Sequence, residues 1–311
     1  MKTLRTPFVF GLVIAIMLTM LSGFVLLDAF VIARGIPIVD QPITPCECEG
    51  ESEVLKEITA TDTTYSSIGI QTTVYKNISI EIYEKYDATI YVADIQLSSP
   101  LFFRTALAKD TYGRNVREYT STIAKNKKAI LAINGDFYGY RDVGIVIRNG
   151  VYYRDVPRSA PDNISLIMDK NGDLKLHTEG SVDGKTLVEQ GVMHAWSFGP
   201  VLVNNGEAVS TANQDWVAAG DNPRTAIGQI GPLHYLFVVV DGRSSISRGV
   251  NLTELTQIFL DHGAQIAYNL DGGGTATMWF NGSVTNRPTY DGTAVYQRGV
   301  SDILYILGDD E

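Results

Sequence analysis

The sequence predicts an α+β fold: mixed, mainly antiparallel twisted sheets with helices packed against them, preceded by one N-terminal transmembrane helix. Three observations carry this. Short β-branched or aromatic runs ended by Gly, Asn or Asp recur from about Thr63 onward. Two segments of this body have helical periodicity. One uncharged stretch near the start is long enough to cross a bilayer.

That stretch is Pro7–Leu27, 21 residues without a charge. A helix of this length spans a hydrocarbon core. Lys2 and Arg5 precede it, so the positive-inside bias expects the amino terminus in the cytoplasm and the rest outside, single-pass at the cell membrane. A cleaved signal peptide is the rival reading, but its apolar region would be shorter and no strong cleavage site follows closely. Residues 1–34 are therefore read as tail and anchor. Residues 35–62, rich in Pro, acidic and small polar residues, read as a linker with room for a short helix at 51–58. Residues 63–311 form the expected domain.

Within the domain the strand-like runs are "ATIYVADIQL", "AILAING", "VGIVIRNGVYY", "NISLIMD", "DLKLH", "TAIGQI" and "YLFVVVDG". Val116, Tyr119 and Ile123 recur at helical spacing within residues 115–128. Leu252, Leu255, Ile258 and Phe259 do so within residues 250–264, with Gly263 as a stop. Each helix feeds an apolar strand, the pattern of helices laid against sheets.

The composition, 45% hydrophobic and 19% charged, suits a globular core rather than a disordered chain. Lys2, Arg5 and Arg34 outweigh Asp28 and Asp40 in the first 40 residues, so of the net charge of -10 the body carries -11 and the amino-terminal end +1. Such a body repels nucleic acid, and an anionic small substrate needs a local arginine cluster. Cys46 and Cys48 are the only cysteines, so the fold stands on its core rather than on disulfides. His177, His194, His234 and His262 are isolated, which disfavours zinc.

Several strands open into polar turns: Asn134-Gly135-Asp136, Asp241-Gly242-Arg243 and Asn269-Leu270-Asp271. Arg224 and Arg298 stand ahead of two others. Each alone reads as an ordinary turn or a surface charge. Asp271 followed by Gly272, Gly273 and Gly274 is more specific, because bare backbone can approach a ligand closely and its N–H groups can cradle an anion. The stretch has neither the Lys-Ser/Thr of a P-loop nor a dinucleotide-binding glycine pattern. Trp196 and Trp216 suit either a sugar face or the core.

The segments "AINGDFY", "GIVIRNG", "SFGPVLVNNGE", "NPRTAIG", "VVVDGRSSISRGVNLTELTQIFLDHGAQIAYNLDGGGTATMWFNG" and "QRGVSDILYIL" occur in an order that resembles the phosphodiester glycosidase domain, over roughly residues 87–308. Thr275 stands where that family often has Ser, and Gly299 follows Arg298 where Pro is common. The resemblance implies a hydrolase that cleaves between a sugar's anomeric carbon and a phosphate oxygen. Its substrate would be a sugar-phosphate polymer of the envelope, an exopolysaccharide or a small glycan phosphodiester.

On that reading Arg224, Arg243 and Arg298 grip the phosphate, since a guanidinium meets two of its oxygens at once. Gly272, Gly273 and Gly274 add N–H donors, and Thr275 keeps a hydroxyl. Asp271 and Asp136 activate water or stabilise the oxocarbenium-like centre, while Asp241 shares that task or orients an arginine. Asn134 and Asn269 bind sugar hydroxyls or hold loops. No cofactor is needed. A calcium site made by Asp271, Asp241 and Asp136 is one alternative, and a non-catalytic glycan-binding or assembly module on the same fold is another.

Overall fold

The computed structural model describes residues 13–23, 34–37, 63–67, 70–160, 163–210, 220–289 and 291–308. Strand periodicity explains its main layers. Ala88–Leu97 and His234–Val240 run side by side near the middle of a seven-stranded antiparallel sheet. In spatial order the sheet is Glu207–Ala208, Val201–Asn204, Ile266–Asn269, Arg224–Gly231, His234–Val240, Ala88–Leu97, Lys76–Lys85.

Alternate residues of a strand point to opposite faces. Ile90, Val92, Leu236, Val238 and Val240 pack with Leu252, Leu255, Ile258 and Phe259 of the helix Leu252–Asp261. Tyr91, Ala93, Ile95, Phe237 and Val239 meet Leu131, Ile133, Leu166, Met278 and Leu304 from two further sheets. Burial on both faces is why these central strands read as apolar runs rather than alternating ones. Each large side chain so buried contributes roughly 1.5–3 kcal/mol before entropy is counted.

One further antiparallel sheet orders Ser283–Val284, Met278–Phe280, Ala129–Asn134, Asp302–Leu307 and Phe103–Leu107. The helix Thr120–Asn126 covers its outer side through Ile123 and Ala124 against Ala132 and Ile303. The other orders Val151–Val156, Gly144–Arg148, Val192–Trp196, Ile164–Asp169 and Leu174–Thr178. Leu187 of the helix Gly184–Glu189 packs on Ile145, Ile147 and Ile167 of this sheet. All pairings in the three sheets are antiparallel, with helices against them as expected.

Three local expectations change. The helix expected over 115–128 begins only at Thr120. Asn115 has φ +57°, and Glu118 exchanges backbone hydrogen bonds with Val300, so the chain before Thr120 is spent on a bridge. Gly184–Glu189 is a helix that no periodicity announces, because it is under two turns long. Arg34–Pro37, at the start of the stretch read as a linker, pairs with Thr111–Arg114. Residues 13–23 are helical, yet no helix among the described residues is long and apolar enough to cross a membrane. The rest of the Pro7–Leu27 run, the short helix expected at 51–58, both cysteines and Trp216 lie outside the described residues.

Strand ends from all three sheets meet in one region. Ile303 pairs with Asn134, Ala226 with Asn269 and Arg224 with Val240, so the polar turns that follow or precede these strands are neighbours. Trp196 ends its strand just before Ser197, which reaches the same region.

Candidate active site

The turn after Ala129–Asn134 and the turn after Ile266–Asn269 are tied together by backbone and amide groups. Asn134 Nδ2 donates to the Asp271 carbonyl at 2.6 Å. Its Oδ1 accepts from the Thr225 hydroxyl at 2.7 Å and from the Thr277 N–H at 3.2 Å. The Asp271 N–H donates to the Gly135 carbonyl at 3.2 Å. Asn134 therefore spends its amide on holding Asp271 rather than on a ligand, the loop-holding option of the two expected for it. Asp136 and Asp271 emerge from these two locked turns.

Asp136 has a fully buried side chain. Oδ1 accepts from Arg141 Nη2 at 2.6 Å and from the Phe137 N–H, and Oδ2 accepts from the Ser197 N–H at 2.9 Å. Arg148 Nη2 lies 3.9 Å from Oδ2. Burial alone would push this carboxyl up. Arg141, Arg148 and the Ser197 N–H overcome that, and Asp136 is held below the ordinary carboxylate range.

Asp271 is in the opposite situation. Its side chain is 12% exposed, and Arg298 Nη2 stands 3.5 Å from Oδ2. Burial pushes the carboxyl up, and Arg298, the Thr275 hydroxyl and the Gly272 N–H draw it only partly back. The nearby Asp136 charge adds to the rise, and the result is about 6. Two neighbouring carboxyls pushed apart in this way suit different roles.

Arg298 is brought to the glycine run by its own N–H, which donates to the Gly274 carbonyl at 2.9 Å. The run forms a single 3-10 turn, Gly273–Thr275, with Gly273 at φ +65°. A Cβ on Gly272 would lie 2.7 Å from the Pro223 carbonyl oxygen, and one on Gly273 would lie 3.0 Å from Arg243 Nη2. The Gly273 N–H donates to Pro223 O at 2.9 Å, and the Gly272 N–H faces the Asp271 carboxylate. Two of the three N–H groups expected to cradle an anion are thus used within the chain. The glycines instead let the Pro223–Arg224 segment and Arg243 approach.

Arg243 donates to Asn222 Oδ1 at 3.0 Å. Arg224 donates through Nε to the Val250 carbonyl at 3.0 Å and through Nη2 to the Gly220 carbonyl at 2.6 Å. Burial, with the Arg243 charge beside it, lowers Arg224 to about 10, so it remains a cation at neutral pH. Thr275 donates its hydroxyl to Gly272 O at 2.8 Å. Asn269 Nδ2 donates to Gly199 O at 2.8 Å, and its Oδ1 is buried without a hydrogen-bond partner.

The structure does not bring Asp241 to this pair. Its carboxylate accepts from Tyr91 Oη at 3.0 Å, Asn286 Nδ2 at 2.9 Å and the Arg287 N–H at 3.0 Å. It anchors the segment around Asn286 to the sheet. Trp196 is fully buried and packs on Phe103 and His194, so it belongs to the core. Among the described residues no group of three or more His, Cys, Asp or Glu side chains is placed to hold a metal ion.

Four contributors were not anticipated from sequence: Arg141, Arg148, Ser197 and Asp302. Arg148 Nε donates to Asp302 Oδ2 at 2.6 Å, and both side chains are buried. One signal was present. Arg148 is the only charged residue in the apolar strand Gly144–Arg148, and a charge there requires a partner. Arg141 also packs over the Phe198 ring, at 5.7 Å from its centroid, and Phe137 stacks on Tyr140. These half-buried aromatic groups edge the Asp136 turn.

Comparison with known proteins adds the following. The phosphodiester glycosidase family matches residues 127–307. The prophage-derived uncharacterized protein YomE of Bacillus subtilis is 29% identical over 206 residues, 64% of this chain and 31% of that protein. The bovine N-acetylglucosamine-1-phosphodiester alpha-N-acetylglucosaminidase is 38% identical over 66 residues, 21% of this chain and 12% of that one. The matched parts are thus a minor share of both relatives. Among solved structures, the zebrafish enzyme of the same name, its catalytic domain auto-inhibited by pro-peptide, has a TM-score of 0.59 at 19% identity. That likeness covers 90% of this chain and 97% of the other. A hypothetical protein from Synechocystis has a TM-score of 0.57 at 13% identity, covering 75% and 63%. Both are likenesses of fold.

Proposed function

This chain belongs to the phosphodiester glycosidase family, and we propose that it hydrolyses the sugar–phosphate bond of a sugar-1-phosphodiester in envelope polymers or exopolysaccharide. One observation carries the reading: a largely buried carboxyl, Asp271, raised to about 6, faces an arginine 3.5 Å away and is locked to the turn bearing a second, ionised carboxylate.

In the net reaction a water oxygen bonds to the anomeric carbon and the bond from that carbon to the phosphate oxygen breaks. The bonding pair leaves on the phosphate. Asp271 takes the water proton, because its carboxyl, raised to about 6, titrates near working pH. Asp136, with both oxygens held by Arg141 and backbone N–H groups, is no free base. It supplies fixed negative charge toward the oxocarbenium-like centre. Arg298 meets the phosphate, with Arg243 and Arg224 behind the glycine run. A phosphate leaving group is itself acidic, its second ionisation lying near about 6, so little protonation is needed. We place the enzyme outside the cytoplasm on the strength of the uncharged Pro7–Leu27 run, and it should resist carbonate extraction from membranes.

The test is turnover of a panel of sugar-1-phosphodiesters by the full chain in detergent. Wild type should release free sugar, with kcat/KM rising through an apparent pKa near 6 as the pH increases. Asp271→Asn should lose about 10²–10⁴-fold while keeping its melting temperature. Undiminished activity in Asp271→Asn removes that residue from its role. Sugar binding without turnover would point to the glycan-binding module instead. EDTA should leave turnover unchanged, and a loss restored by calcium would revive the calcium reading.

A further inference from the structure

Behind the turns of Asp136 and Asp271 lies a buried ion pair. Arg148 Nε donates to Asp302 Oδ2 at 2.6 Å, and Nη1 donates to the carbonyls of Ile147 and Ala195. Its remaining nitrogen, Nη2, has no hydrogen-bond partner and lies 3.9 Å from Asp136 Oδ2. Asp302 grips the Asp136 turn from beneath. Its Oδ1 accepts the Asp136 N–H at 2.9 Å, and its carbonyl accepts the Gly135 N–H at 3.0 Å. The approach is so close that a Cβ on Gly135 would stand 2.4 Å from Asp302 Oδ1.

A buried arginine and carboxylate are costly to desolvate and seldom the most stable filling for a core. The guanidinium here packs between the rings of Tyr138 and Trp196, at 5.7 and 5.6 Å from their centroids. It is held by two carbonyls and one carboxylate, with its free edge toward a second carboxylate. We propose that Arg148 and Asp302 are positioning residues: Asp302 fixes the Gly135–Asp136 turn, and Arg148 supplies the charge that holds the Asp136 carboxylate in place beside Asp271. This rests on the role given to Asp136 above.

The charged and titratable groups around this centre are few. Asp136 faces Arg141, Arg148 and Arg154, with Asp271, Asp302, Tyr138 and Tyr268 nearby. Arg148 faces Asp302, Asp136, His194, Tyr112, Tyr138 and Tyr153. His194 is fully buried and held well below its ordinary value, first by burial and then by Arg148 and Arg104, so it brings no positive charge to replace the arginine. Without Arg148, Asp136 would keep Arg141 and Arg154 alone, and protonating it becomes easier.

The experiment compares log kcat/KM against pH for wild type, Arg148→Met, Arg148→Lys and Asp302→Asn. Below the Asp271 limb, the wild-type slope should steepen from 1 to 2 where Asp136 protonates. In Arg148→Met that second break should move up by about one pH unit, a tenfold easier protonation. Its kcat should fall at least tenfold with KM within about threefold. Arg148→Lys should restore part of both. Asp302→Asn keeps an acceptor for the Asp136 N–H and should leave the break in place or move it down.

If every variant loses activity in step with its melting temperature while the break stays where it is, the pair is only structural and the proposal is overturned. An upward shift in Asp302→Asn overturns it too. Should Arg148→Met not fold, Asp302→Asn still decides, because a raised break there contradicts the assignment. Affinity for an unreactive sugar-1-phosphonate, measured against pH by calorimetry, gives the same break without turnover. A wild type that binds the phosphonate but never turns over a diester would fail the enzymatic reading, not this one.

Discussion

At Gly135 the absence of a side chain is a packing requirement of the site. Its backbone φ is not in the left-handed region; the constraint is the Asp302 carboxylate 2.4 Å from where a Cβ would sit. Gly135→Ala should push Asp302 off the Asp136 N–H and break its contact with Arg148. The expected outcome is at least a tenfold fall in kcat/KM with a lowered melting temperature. Activity and stability both at wild-type level would show that Asp302 has room to yield. The same scale shows what a sequence reader can see. Asp136 and Asp271 stand out as acids at strand ends, and the structure ties their two turns together. Asp241 looks identical in sequence, yet it faces Tyr91, Asn286 and Arg287. Nothing local distinguishes them, because the partners that set each environment come from remote segments.

At the scale of elements, the helix Leu252–Asp261 was legible because its signals are local. Asn251 Oδ1 accepts the Glu254 N–H at 2.9 Å and Glu254 Oε2 accepts the Asn251 N–H at 3.1 Å, a reciprocal capping box. The helix closes at Gly263, φ +76°. Asn251→Ala should cost about 1 kcal/mol of stability in urea unfolding with little change in kcat. The helix packs on the sheet through Leu252, Leu255, Ile258 and Phe259, so a large loss of activity at preserved stability would show that the cap acts instead through the neighbouring Arg224–Val250 contact. The helix at Thr120 was placed too early because Val116 fits the apolar spacing while the backbone of Glu118, two residues on, is committed to a bridge with Val300. Periodicity records which side chains are buried, and a bridge can bury them as well as a helix can.

For the whole molecule, acid stability combines opposing groups. His194 is sealed in the core, where Nδ1 accepts the Asn149 N–H at 3.2 Å, and it is held well below 6.5. The unfolded chain therefore binds a proton there that the folded chain does not, and stability falls as pH drops below about 6.5. Asp136 and Glu179, both lowered, lose their contributions at more acid pH still. Asp271 and Asp302, raised to about 6, act the other way and gain as pH falls from about 6 toward 4. His194→Gln should accordingly lose less stability than wild type between pH 7.5 and 5.5, read from urea midpoints. An identical pH dependence in the two proteins would mean that His194 titrates normally in the fold.

By itself the sequence determined the alternating and doubly buried strands, the capped helix, the glycine run and the set of acids and arginines at strand ends. These depend on residues within a few positions of one another, through backbone preference, turn chemistry and apolar period. The tertiary structure alone decided which of those groups meet. Asp136 joins Asp302 across 166 residues, Arg148 joins Asp302 across 154, and Asn134 joins Asp271 across 137. It alone set Asp271 high and Asp136 low, because a carboxyl's charge state follows from how much water is removed and which cations replace it. Both are properties of the packed interior.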